Sequence, residues 1–210
     1  MLVLGLTGSI GMGKSAAAAM LRRMGLPLHD SDRAVHRLLA KRGRAVGEVE
    51  AAFSGVVVDG AVDRRRLAER VFEDPVALAR LEAILHPAVR RATRAFLKQQ
   101  ARNGRWLAVL DIPLLFETGG ESLCDAVVVV SAPRFVQEAR VLGRRDMTPA
   151  RFNFIVAKQM SDREKRRRAD FVVNTGLSKS DTLRQLRAVV TLLREQPERY
   201  RCPKAPRFRA

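Results

Sequence analysis

The sequence predicts an α/β fold, a parallel sheet of buried strands joined by right-handed crossover helices. Three observations carry that prediction. Four short aliphatic runs, Leu2–Thr7, Leu107–Ile112, Ala126–Ser131 and Phe171–Val173, do not alternate with polar residues, which is the pattern of strands covered on both faces. Long Ala-, Leu- and Arg-rich stretches with helical spacing separate them. The first run also leads directly into a glycine-rich loop and then a helix-forming run, Ala16–Met24.

Taken in order, Leu2–Thr7 is the first strand and Gly8–Ser15 (GSIGMGKS) fits G-x-x-x-x-G-K-[ST]. Glycines let such a loop curl so that successive N–H groups point inward at phosphate oxygens, where a side chain would clash. Ser15 opens the helix, whose N-terminus carries partial positive charge toward the anion, and its hydroxyl is a ligand for Mg²⁺. Lys14 neutralises β- and γ-phosphates. Pro27–Asp30 reads as another short strand, ending in Asp30-Ser31-Asp32.

The gap from Asp30 to Leu107 is too long for one crossover helix. It holds the Arg-rich Asp63–Glu69, then Asp74-Pro75, an N-cap with Pro at the first helical position, opening a helix over Val76–Leu85. His86-Pro87 separates it from another helix through Arg102, so the segment reads as a helical substrate lobe. A further helical block, Pro133–Arg168, breaks near Asp146–Pro149, and the last helix starts near Ser180-Asp181 and ends before Pro197. Arg199–Ala210, basic and interrupted by Pro203 and Pro206, reads as a frayed tail.

The chain has 210 residues, Lys+Arg 39 against Asp+Glu 22, and a net charge of +17. Hydrophobic residues at 47% exclude a disordered polymer, while Gly 14, Pro 9 and Cys 2 exclude collagen-like and disulfide-rich scaffolds. Cys124 and Cys202 have no metal spacing and read as reduced thiols of an intracellular, cytoplasmic protein. No signal peptide or run long enough to span a membrane is visible. The positive charge asks for an anionic partner, and nucleic acid, acidic lipid and nucleotide phosphates all satisfy it.

A phosphate loop does not by itself separate GTPases, ATPase motors and small-molecule kinases. The short chain disfavours motors, and the lack of an Asn-Lys-x-Asp motif disfavours GTPases. A carboxylate of Asp30-Ser31-Asp32, at a strand's C-terminal end, suits a base that takes a proton from an acceptor hydroxyl; Asp30 reads equally as a helix cap ahead of Arg33–Ala40. Leu107–Asp111 has the shape of an apolar strand ending in a Mg²⁺-holding Asp, though Asp111 reads equally as a strand-end turn residue. Gln137, Arg140 and Arg144 lie at i, i+3 and i+7, one helical face from which an Arg could close over a nucleotide. Trp106, Phe152, Phe154 and His29 read as structural residues, and Arg163–Arg168 as a solvated or nucleotide-facing surface.

These residues together resemble the dephospho-CoA kinase family. The likeness rests on LGLTGSIGMGKS, the DSD at Asp30–Asp32, LHP at Leu85–Pro87, DIPLLFE at Asp111–Glu117, QEARVLGR at Gln137–Arg144, KQM at Lys158–Met160 and ADFVVNTG at Ala169–Gly176. It runs from Leu2 to about Leu193 and implies ATP-dependent phosphorylation of the ribose 3′-hydroxyl of dephospho-CoA. It implies a P-loop fold with a five-stranded parallel sheet, a helical acceptor lobe and a helical lid. Residues 1–198 would form one domain: core segments 1–30, 105–135 and 169–195, an acceptor lobe at about 31–104 and a lid at about 136–168, with 199–210 as a basic tail.

By the resemblance Asp32, rather than Asp30, is the catalytic carboxylate, with Lys14 and Arg140 acting on the phosphates. Gly8, Ser9, Ile10, Gly11, Met12, Gly13, Lys14, Ser15 and Ala16 would bind ATP, with Arg144, Asn174 and Gly176; Ser15 and Asp111 would hold Mg²⁺. His86, Pro113, Leu114, Leu115 and Glu117 would line the acceptor side. Ser9 stands where Gly is frequent in the family and Ala16 where Thr is common; neither change touches Lys14 or Ser15. The implied partners are ATP and dephospho-CoA, without membrane or nucleic acid, in a monomer or weak homo-oligomer. The alternatives to be tested are another small-metabolite or nucleotide kinase and, from the charge alone, a basic nucleic-acid-binding protein.

Overall fold

A computed structural model describes residues 1–72 and 74–200. The chain forms two compact units, Asp30–Gln99 and the remainder, Met1–His29 with the chain from Gln100 onward.

The larger unit is built on a five-stranded sheet. Its strands are β1 (Leu2–Thr7), β2 (Leu28–Asp30), β5 (Leu107–Asp111), β6 (Ala126–Ser131) and β7 (Phe171–Asn174), in the order β2-β5-β1-β6-β7. β5 and β6 both run parallel to β1, and β7 runs parallel to β6. Every residue of β1, β5 and β6 is buried, which is why these strands read as unbroken aliphatic runs. Leu4, Leu6, Val128 and Val130 meet Ala17, Ala18 and Leu21 of α1 (Lys14–Arg23), and Leu186, Val189 and Leu193 of α9 (Lys179–Glu195), in one core.

The third helical block divides into α6 (Arg134–Leu142), α7 (Pro149–Ala157) and α8 (Asp162–Arg168). Thr148 caps α7, with Pro149 at its start, and Ser161 caps α8, adding a break that the sequence does not announce. Phe152 is buried and Phe154 is 55% exposed, as their spacing of two on a helix requires. Cys124 is a buried free thiol whose pKa is raised by burial, while Cys202 lies outside the described residues, as does the tail from 201 onward. Arg199 and Tyr200 belong instead to a short turn of helix, α10 (Pro197–Tyr200). Trp106 is 38% exposed and lines a cavity of about 330 Å³ with Met1, Leu2 and Leu193.

The smaller unit contains α2 (Ser31–Leu39), α3 (Val46–Ala52), α4 (Arg64–Val71) and most of α5 (Pro75–Arg102), packed around Leu39, Val49, Phe53, Val62, Leu67 and Leu81. A hairpin of β3 (Val57–Val58) and β4 (Ala61–Val62) adds to it, turning at Asp59 and Gly60 with φ of 52° and 81°. Asp-Gly between apolar pairs is the sequence signal for that turn.

His86-Pro87 does not end a helix, because α5 runs unbroken with Pro87 inside it. An interior proline costs about 3 kcal/mol, yet the buried positions Leu81 and Ala88 lie two turns apart on either side of it, so burial on one face outweighs the local penalty. Arg144 does not share a helical face with Gln137 and Arg140. α6 ends at Leu142, and beyond the Gly143 cap the Arg144 N–H bonds back to the Val141 carbonyl in a turn.

Candidate active site

The loop that follows β1 is shaped by steric need at two glycines. Gly11 and Gly13 have φ of 77° and 84°, in the region that side chains avoid. A Cβ on Gly11 would also stand 2.5 Å from Val141 Cγ2 and 2.9 Å from the Gln137 carbonyl oxygen, so α6 packs flush on this glycine. Gly11→Ala is therefore expected to destabilise the protein by about 2–4 kcal/mol, read as a lowered denaturation midpoint. An unchanged midpoint would show that the loop does not lie against α6. Gly13 is the N-cap of α1, which puts Lys14 and Ser15 in the helix's first turn.

Lys14 Nζ lies 2.6 Å from Asp111 Oδ1, with the side chains 18% and 5% exposed. β1 and β5 are neighbours, so the end of β5 brings the carboxylate beside the loop. The loop's inner side chains turn to the protein: Met12 is 3% exposed and its Sδ accepts a hydrogen bond from the Ala132 N–H at 3.1 Å. Ser9 Oγ is buried without a hydrogen-bond partner.

Arg140 and the β7 end meet at Thr175, which lies inside the ADFVVNTG stretch, between Asn174 and Gly176. Thr175 Oγ1 donates to the Met12 carbonyl at 2.8 Å. Arg140 Nη1 donates to Thr175 Oγ1 at 3.1 Å and Nη2 to the Thr175 carbonyl at 2.6 Å. Asn174 and Gly176 flank it, their turn closed by Asn174 Oδ1 accepting from the Gly176 N–H at 2.7 Å. Gln185 of α9 holds the same turn, donating to the Asn174 carbonyl at 3.0 Å. Arg144 is exposed, in the turn that follows α6.

After Asp111 the chain carries the proposed acceptor-side residues. Pro113 offers its carbonyl to Thr7 Oγ1 at 2.9 Å, and Leu114 is 39% exposed. Leu115 is fully buried, so its side chain belongs to the core rather than to a lining surface; a Cβ on Gly5 would sit 3.1 Å from it. Glu117 accepts from the Met160 N–H at 2.9 Å, and its Oε1 lies 2.9 Å from Nζ of the fully buried Lys165. That contact is an ion pair by distance and is not a well-directed hydrogen bond, since Lys165 Nζ has no partner of hydrogen-bond geometry. Lys165 corrects the reading of Arg163–Arg168 as a wholly surface cluster: one of its cations is interior, where burial is tolerable only beside a carboxylate.

Burial alone would raise the Glu117 carboxyl, but Lys165, its own amide and the Met160 N–H outweigh it and hold the group below the ordinary value of 4.5. A depressed folded value means that the pair contributes stability above the unfolded value, lost as pH falls through the lower folded one. Glu117→Gln is thus expected to lower the midpoint near neutral pH and to converge with the parent protein only as the pH falls below the depressed folded value, on the acid side of 4.5. A gap that persists at acid pH would place the effect elsewhere.

In the smaller unit, Asp30 caps α2, its Oδ1 accepting from the Arg33 N–H at 3.0 Å. Asp32 is exposed in the first turn of α2, and His86 is exposed on α5. Of the two carboxylates left open above, Asp30 has the capping role.

No helix among the described residues is long and apolar enough to cross a membrane. The dephospho-CoA kinase family model matches residues 2–180. A dephospho-CoA kinase from Paramagnetospirillum magneticum is 61% identical over 194 residues, 92% of each chain. A crystal structure from Thermus thermophilus superposes with a TM-score of 0.79 at 37% identity, covering 91% of this chain and 97% of that one. The dephospho-CoA kinase from Campylobacter jejuni, at 22% identity, shares the fold with a TM-score of 0.70 over 93% of this chain and 98% of that one. Residues 2–180, with the phosphate loop, the β5 carboxylate and the Arg140–Thr175 contact inside them, thus belong to a chain of the dephospho-CoA kinase family, whose ATP-dependent reaction is the last step of coenzyme A synthesis.

Proposed function

We propose that the kinase reaction of this chain places the ATP phosphates in the Gly8–Ser15 loop and transfers the terminal phosphoryl group to the ribose 3′-hydroxyl of dephospho-CoA. The observation that supports the placement is the loop itself: a left-handed Gly13 opening α1, with Lys14 held at 2.6 Å from Asp111. Lys14 then exchanges a carboxylate for phosphate oxygens, a substitution of one anion for another that needs no new desolvation of the ammonium. The orphaned Ser9 hydroxyl, buried and unpaired, fits a loop whose remaining partner arrives with the substrate.

Asp32 accepts the proton of the 3′-hydroxyl as it attacks. Arg140 exchanges Thr175 for the transferring phosphoryl group, whose equatorial oxygens carry the developing charge. Asn174 and Gly176 border the nucleotide base, and His86, Pro113 and Leu114 border the acceptor.

Among the described residues no three His, Cys, Asp or Glu side chains cluster as a metal cage. That fits Mg²⁺, which takes one or two protein oxygens and completes its shell with phosphates and water. Ser15 and Asp111 offer hard oxygens of that kind. When bound, Mg²⁺ would neutralise charge shared between the β- and γ-phosphates.

Both substrates are small soluble polyanions, so the reaction suits the cytoplasm, in a monomer or weak homo-oligomer. The test is a coupled ATP assay with dephospho-CoA, with the product's phosphorus spectrum locating the new phosphate. A phosphate on any position other than the 3′-oxygen, or equal turnover of unrelated nucleosides, would overturn the acceptor assignment.

A further inference from the structure

Two glutamines from different segments hold the two peptide groups that flank Ile10 in the phosphate loop. Gln137, on α6 and 3% exposed, donates from Nε2 to the Ile10 carbonyl at 2.8 Å. Gln159, between α7 and α8, accepts at Oε1 from the Ile10 N–H at 3.1 Å. The orientation of each amide follows from its partner, since a carbonyl needs a donor and an N–H needs an acceptor. Both glutamines lie in stretches that carried the family likeness, QEARVLGR and KQM, and neither has a part in the reaction described above.

A trans peptide points its C=O and the following N–H in opposite directions. Fixing the Ile10 carbonyl on Gln137 therefore fixes the direction of the Gly11 N–H, which faces away from Gln137. Gly11 is the residue least able to hold that plane unaided, because glycine at a φ of 77° rotates with little steric hindrance. A flip of the Ile10–Gly11 peptide would exchange an inward donor for an inward carbonyl oxygen, and so repel an anion.

Fixing the Ile10 N–H on Gln159 likewise orients the Ser9 carbonyl, which accepts from the Met12 N–H at 3.1 Å and closes the turn. Gln159 is itself anchored through its neighbour, whose N–H is bound to Glu117. The rest of the loop is held in a different way, by Thr175 at the Met12 carbonyl.

We infer that Gln137 and Gln159 are positioning residues that lock the peptide groups on either side of Ile10, and that Gln137 in particular keeps the Gly11 N–H available to the nucleotide phosphates. The inference rests on the loop holding ATP. ATP binding by the unmodified chain, measured in the same series, tests that reading separately.

The two clamps use opposite ends of the amide, so one isosteric substitution separates them. Gln137→Glu replaces a donor with a second acceptor facing the Ile10 carbonyl, while Gln159→Glu keeps its acceptor; both add the same charge. The KM for ATP should rise about tenfold or more in Q137E, with a rise in Q159E at least about fivefold smaller. The KM for dephospho-CoA at saturating ATP should change by less than about twofold in Q137E. If Q137E does not fold, Q137M, which removes the donor without adding charge, should show the same tenfold rise.

A purely structural role would lower the melting temperature and leave the KM values of the folded enzyme unmoved. The inference fails if the KM for ATP in the folded Gln137 variant stays within about twofold of the parent, if Q159E matches Q137E, or if both substrates' KM values rise together.

Discussion

Asp32→Asn is expected to lower kcat by about 10²–10⁴-fold while leaving the KM for ATP within about threefold. The amide keeps the shape of the side chain and removes its ability to accept the proton of the attacking hydroxyl. The stability change should be small, since Asp32 is exposed and acts on α2 only as an acidic residue of its first turn. Asp30→Asn is the matching control for the helix: asparagine also caps, so α2 survives. Steady-state kinetics on the two variants decides the matter. Full activity in Asp32→Asn would remove the base assignment, and equal losses in both would mean that the geometry of α2, rather than one carboxylate, had been damaged.

Lys14→Met should act twice. It removes the ammonium that the phosphates would meet, with an expected loss of about 10²–10³ in kcat and weaker ATP binding. In the nucleotide-free protein it also removes an ion-pair partner of Asp111, a carboxylate only 5% exposed with Lys14 Nζ at 2.6 Å. Taking one member from such a pair costs about 2–4 kcal/mol. The cost should fall well short of additive in the Lys14→Met, Asp111→Asn double variant, because the charge left behind is then gone too. Denaturation midpoints of the single and double variants measure this coupling. Strict additivity would mean that the contact at the loop carries no energy.

The parts of the fold that were legible beforehand are those written in contiguous residues. The buried strands β1, β5 and β6 show as aliphatic runs because both faces of each are covered. The loop shows because backbone curvature demands glycine at set positions, and the cap at Asp74 shows because a helix start needs a side-chain acceptor. The errors came where a local rule met a stronger tertiary one. Pro87 should end a helix, and burial on either side of it carries α5 through. The run Arg163–Arg168 should lie in water, and Lys165 is drawn inside by Glu117.

The site divides along the same line. Chemistry that one residue type performs in one local frame, a lysine at the mouth of a glycine loop or an aspartate closing a strand, can be named from the chain alone. The bonds that hold the frame cannot. Gln137 and Gln159 reach Ile10 across 127 and 149 residues, and Thr175 reaches Met12 across 163. Nothing about a glutamine or a threonine in its own sequence neighbourhood says which distant peptide it will satisfy. Such pairings exist only once β1, β6 and β7 lie side by side and the helices between them pack back on the loop. Folding leaves buried N–H and C=O groups there that must find partners, and it is that requirement which recruits these side chains.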